Sequence, residues 1–142
     1  MTTPWDPWIQ IYTDFTGAIV TRNLQQLQHY VTADFVAVIN GRRFNLEGFK
    51  AEILRLWEVF SDFGNEVDVH VVRPYEGSLW VLYDVAATFD GVLRSPNTDE
   101  TYGPTYKKGN ITGTDRYYFN EHNQIRLLEV NTNLHMIMHD FF

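Results

Sequence analysis

Apolar residues recur at spacings of three and four near the start of the chain, where Trp8, Ile11, Tyr12, Phe15 and Ile19 make one broad aromatic stripe. Pro4-Trp5-Asp6-Pro7 supplies a cap and first turn, so the spacing predicts a helix running to Val20 or Thr21. A shorter helix, Leu24 to Tyr30, follows with Asn23 as its cap and Leu24, Leu27 and Val31 buried. The period then changes to two. Phe35 to Ile39 reads as a strand, Asn40-Gly41 as a tight turn, and Arg42-Arg43-Phe44 as its short partner. Asn45 is the expected cap of a third, long helix ending near Ser61 to Gly64, with Phe44 and Phe49 placed as a hydrophobic staple and Phe49, Ile53, Leu56, Trp57 and Phe60 as its stripe.

Beyond that helix, Val67, Val69 and Val71 alternate with Asp68 and His70 in a half-buried strand over Glu66 to Arg73. Pro74 to Gly77 turns it into a nearly apolar strand, Leu79 to Phe89, in which Tyr83, Val85 and Ala87 suit the interior and Asp84 the outside. Asp90 to Thr112, rich in Gly, Pro, Asn and Thr, reads as a long loop or hairpin tip. The stretch Gly113 to Leu134 then gives two strands around a polar turn, with Asp115, Tyr117 and Phe119 on one inward row and Leu128, Val130, Thr132 and Leu134 on the other. The order of elements is that of an α+β domain: a curved, mainly antiparallel sheet wrapped around the N-terminal helices and the third, long helix.

A chain of 142 residues with 44% hydrophobic content is one domain long and has core enough to stand without disulfides or metal. It has no cysteine, which removes thiol catalysis. Eighteen acidic against eleven basic residues leave a net charge of −7, and no basic cluster exceeds Arg42-Arg43 or Lys107-Lys108, so neither nucleic acid nor anionic membrane is an expected partner. No basic-then-apolar leader opens the sequence, and no run approaches the ~18 apolar residues of a span, so the expected location is cytoplasmic.

Asp115 is the residue that the packing pattern does not explain. A carboxyl in an apolar row, with no basic residue on that face, is costly to ionise and tends to hold its proton. Tyr12, Tyr30, Tyr83 and Tyr117 are further candidates, as hydroxyl donors at the polar ends of core side chains. His135 and His139 stand four apart without a companion carboxylate, so no metal is expected; His29, His70 and His122 read as solvated. There is no Gly-rich phosphate loop, Gly-x-Ser-x-Gly elbow or His-Glu-x-x-His helix.

The element order, the Asn40-Gly41 hairpin before the long helix, and the pattern Gly113-x-Asp115-x-x-x-Phe119-x-x-x-x-x-Ile125 together resemble the nuclear transport factor two-like superfamily, which includes SnoaL-like polyketide cyclases and ketosteroid isomerases. The resemblance implies a cone-shaped fold with an apolar pocket at its open end, often in a homodimer. It sets Asp115 where the isomerases keep a protonated aspartic acid in their oxyanion hole. It also sets Phe15 near the isomerase tyrosine, Ile39 or Asn40 near the isomerase base, and Val130 near the aspartate of SnoaL-like cyclases. Three functions follow: a cofactor-free isomerase, cyclase or dehydratase with Asp115 as acid or donor; a protein that binds an apolar ligand without turnover; and an interaction module whose pocket is filled by its own side chains. The expected ligand is a small apolar or aromatic molecule held by Trp8, Tyr12, Phe15, Asn40, Trp57, Tyr83, Tyr117 and Val130. The expected assembly is a homodimer through the outer sheet face, on the strength of Tyr118 and Leu79.

Overall fold

The computed structural model describes residues 6–94 and 98–133. Helix α1 (Asp6–Val20) buries Phe15 and Ala18, and Trp8, Ile11, Tyr12 and Ile19 pack beside them. Leu24–His29 then forms a 3₁₀ helix in place of the expected α-helix, and Asn23 does not cap it, since its Nδ2 donates to Thr21 Oγ1 at 3.1 Å. Within this segment only Leu27 is buried, and a short connector tied down at one point favours the tighter turn.

Strand β1 (Val31–Ile39) starts earlier than its β-branched run suggests, because Val31 pairs with Ile125 and the Tyr30 carbonyl accepts from the Ile125 N–H at 2.9 Å. Asn40 and Gly41, both at positive φ, turn the chain into β2 (Arg42–Phe44). Asn45 caps α2 (Leu46–Val59), its side-chain oxygen accepting from the Gly48 N–H at 2.8 Å. That helix stops before Ser61. The Val59 carbonyl is taken by the N–H groups of Asp90 and Gly91, and the Asp90 carboxylate accepts from the backbone and hydroxyl of Ser61. A Cβ at Gly91 would lie 1.6 Å from the Glu58 carbonyl oxygen, so only glycine permits this approach.

Strands β3 (Glu66–Tyr75) and β4 (Ser78–Thr88) are joined at Glu76-Gly77, again at positive φ. The register of β3 slips between Val69 and Val71, so the inward row runs Val67, Val69 and then Val72, not Val71. Such a bulge re-aims every later side chain, and a strict alternation cannot reveal it. The expected loop of 90–112 is much shorter. β7 (Lys108–Phe119) is already paired with β4 from Lys108, and the loop before it holds a small hairpin of β5 (Leu93–Arg94) and β6 (Thr101–Tyr102).

With β8 (Ile125–Thr132), the main sheet has the order β2-β1-β8-β7-β4-β3, and only the β1/β8 pair is parallel. It is the large curved sheet of an α+β fold with the helices on its inner face. The main core gathers Phe15, Leu27, Phe35, Phe49 and Ile53 of the helices and first strand with Leu79, Val81, Tyr117, Ile125 and Leu128 of the sheet. Leu79, expected on the outer face, is fully buried here.

Candidate functional site

A cavity of about 530 Å³ lies between the two helices and the inner face of the sheet. Phe15, Ile19, Phe49, Ile53 and Leu56 form its helical wall, and Ile39, Val85, Ile111, Leu128 and Val130 its sheet wall. Its size falls in the usual range for small-molecule sites. A cavity of that size weighs against the reading in which side chains fill the interior.

Into this apolar space the inward row of β7 brings Asp115. The Tyr83 hydroxyl donates to its Oδ1 at 2.9 Å and the Tyr117 hydroxyl to its Oδ2 at 3.1 Å. Burial pushes the carboxyl up to about 7, against the two phenol bonds, which favour the ionised form. Among the described residues no cation pairs with it. Burial and the Asp115 charge hold Tyr83 and Tyr117 well above the usual phenol range and push Tyr12 up to about 12, so all three hydroxyls keep their protons at neutral pH.

The Tyr12 ring packs edge-on against Tyr117 with centroids 5.2 Å apart. Its hydroxyl, unlike the other two, has no hydrogen-bond partner among the described residues, and it is not a buried orphan because the cavity reaches it. Tyr12 stands one helical turn before Phe15, so α1 does present a phenol to the cavity, three residues from where the resemblance puts one. Gly113 clears the ground for this cluster: it lies opposite Tyr83, and a Cβ on it would come within 2.5 Å of the Tyr83 phenol.

Tyr12, Phe15, Asn40, Tyr83, Asp115, Tyr117 and Val130 all line the cavity, but Trp8 and Trp57 do not. Trp8 stacks on Phe119 with centroids 5.0 Å apart and planes 5° from parallel. Trp57 donates from its indole nitrogen to the Phe63 carbonyl at 3.0 Å under the Arg22 guanidinium. A helical stripe records burial, not which buried residues border empty space, so it does not separate these two indoles from the cavity lining. Tyr30 also packs against the core away from the cavity. Asn40 reaches the lining, yet its amide works as a latch, donating to Thr132 Oγ1 at 3.1 Å and accepting from the Thr132 N–H at 2.9 Å.

On the opposite sheet face, Asp84 points outward as expected and accepts from Thr112 and, at 2.6 Å, bonds His70 Nε2. His70 is thus partnered and not merely solvated. His135 and His139 lie outside the described residues, and among those described no three His, Asp or Glu side chains gather to hold a metal. No described helix is long and apolar enough to cross a membrane.

No protein-family model matches the chain, and no curated protein matches it. Solved structures do. A protein from Jannaschia sp. CCS1, provisionally described as a SnoaL-like polyketide cyclase, superposes with a TM-score of 0.80 at 14% identity, covering 99% of this chain and 96% of its own. A provisional polyketide cyclase from Xanthomonas campestris pv. campestris gives 0.75 at 11% identity, over 99% and 100% of the two chains. AclR from Streptomyces galilaeus, described provisionally as a hydroxylase, gives 0.72 at 12% identity over 94% of each. The fold is that of the SnoaL-like, nuclear transport factor two-like proteins.

Proposed function

We propose that this chain, on a fold shared with proteins described as polyketide cyclases, is a cofactor-free acid–base catalyst acting on a small, largely apolar molecule, with Asp115 as the group that moves the proton. The observation that carries this reading is the carboxyl at the cavity wall, held at both oxygens by phenols, with its proton affinity brought to about neutrality. A group that is half ionised at working pH serves equally as acceptor and donor.

The step balances within the site. The Asp115 carboxylate takes a proton from a carbon next to a ligand carbonyl, leaving a neutral carboxyl and an enolate. The Tyr12 hydroxyl, without a partner among the described residues, donates to the enolate oxygen, while Tyr83 and Tyr117 keep the carboxyl in place. Return of the proton to another atom gives isomerisation, and attack by the enolate carbon on a second carbonyl gives ring closure.

Deuterium incorporation into 2-tetralone, a flat bicyclic ketone, tests the reading without knowledge of the natural substrate. Exchange next to the carbonyl is expected to exceed that in buffer, to rise with pH through about 7 as Asp115 ionises, to vanish in Asp115→Asn, and to slow at least about tenfold in Tyr12→Phe, which removes an oxyanion donor. A ketone that binds in the cavity and exchanges no faster than in buffer would make the protein a carrier and not a catalyst.

A further inference from the structure

Among the described residues three charged side chains line the cavity: Asp115, Glu52 and Arg42. Glu52 is already engaged, accepting from Arg55 at 2.7 Å. Arg42 has no carboxylate partner among the described residues, and its guanidinium rests 5.2 Å over the Phe44 ring, which holds the plane while leaving its N–H groups unspent.

The sheet register relates this arginine to the site. Arg42 stands opposite Ile39, Ile39 opposite Val130, and Val130 opposite Asp115. The four residues form one transverse row, and all four border the cavity. Three strand spacings of about 4.8 Å put its two ends roughly 14 Å apart along the sheet, and curvature shortens the direct path. The row is therefore a cation and a proton-handling carboxyl separated by two aliphatic side chains.

We infer that the cavity takes an elongated apolar anion: a ligand with a carboxylate or similar planar oxyanion on Arg42, a flat body across Ile39 and Val130, and its reacting end at Asp115 and Tyr12. This rests on the reading of Asp115 as the proton-moving group. The guanidinium fork suits a two-oxygen acceptor. With a net charge of −7 the chain as a whole repels anions, so any preference for one must come from a local cation. An inward arginine on an edge strand also discourages strand pairing between molecules, but that role needs no contact with a ligand and predicts no selectivity.

Fluorescence titration with 2-naphthol and with 6-hydroxy-2-naphthoate, the same bicycle bearing a carboxylate at its far end, separates the possibilities. Arg42 is exposed at the cavity edge, so the carboxylate is expected to bind roughly three- to fivefold more tightly, as a charge-assisted contact at a solvated guanidinium would give. Arg42→Gln should erase that preference and leave 2-naphthol unchanged, Arg42→Lys should keep part of it, and Arg43→Gln, on the other strand face, should alter neither. Equal affinities in the parent, or an Arg42→Gln variant that weakens both probes alike, would overturn the inference. If 2-tetralone exchange proceeds while the carboxylate gives no gain, this inference alone fails. If neither probe binds and no exchange occurs, the acid–base reading fails with it.

Discussion

At Asp115 three local effects meet, and their sizes decide its behaviour. Burial disfavours the ionised form more than two phenol donors favour it, so the carboxyl rises from 3.8 to about 7. The folded state thus holds this proton more tightly than the unfolded chain does. The resulting stability is fully present below 3.8, is lost as pH climbs to about 7, and changes no further above that. The whole contribution is roughly 4 kcal/mol at about 1.4 kcal/mol per unit. Asp115→Asn abolishes the titration, so its melting temperature relative to the parent should rise between about pH 4 and pH 8; parallel melting curves across that range would mean that Asp115 ionises normally. Asp115 was legible as an anomaly, since a carboxylate in an apolar row stands out. Its partners were less so. Tyr83 lies on another strand, and no local pattern says which strands become neighbours. The latch of Asn40 to Thr132 was out of reach for a related reason: it spans 92 positions.

Elements were legible where a side chain acts on its own backbone. Asn45 caps α2, Asn40-Gly41 turns β1 into β2, and the α1 stripe faces the core, because each depends on residues a few places apart. They were illegible where a distant partner decides. The first half of β7, with Lys108, Gly109 and Asn110, has the composition of a loop, and only its ladder with β4 makes it a strand. The bulge of β3 likewise shows only in its pairing with β4. Gly113 shows the same logic at the site, where a missing side chain on β7 makes room for a phenol from β4. Gly113→Ala should therefore cost about 1–3 kcal/mol through overpacking. It should also drive Tyr83 off Asp115, so that the carboxyl, short of one donor, titrates above about 7 in carbon-detected NMR. A titration identical to the parent's would show that Tyr83 contributes nothing to the acid.

For the molecule as a whole, the outer sheet face is the surface of interest. It carries Trp80 beneath Arg73, and Tyr118 between Arg116 and Arg126, with Glu76 and Glu129 nearby. Aromatic area with both signs of charge is what a two-fold contact needs, since each copy must complement itself. We propose that a second copy sits there. Light scattering should give the mass of two chains at micromolar concentration, and Trp80→Glu should give one; a parent of single-chain mass would refute the pairing. Leu79, buried in the core, has no part in that contact.

The parallel pair of β1 and β8 has one more effect, and it concerns time. Val31 meets Ile125 and Ile39 meets Val130, so the two strands that join the β2-β1 hairpin to the rest of the sheet are far apart in the sequence. During synthesis α1, β1 and α2 leave the ribosome long before β8 exists, and closing so long a loop is slow. Until then Phe15, Phe35 and Phe49 have no complete wall to pack on. The strand that holds Val130 against Asp115 is thus the last of the described strands to be made.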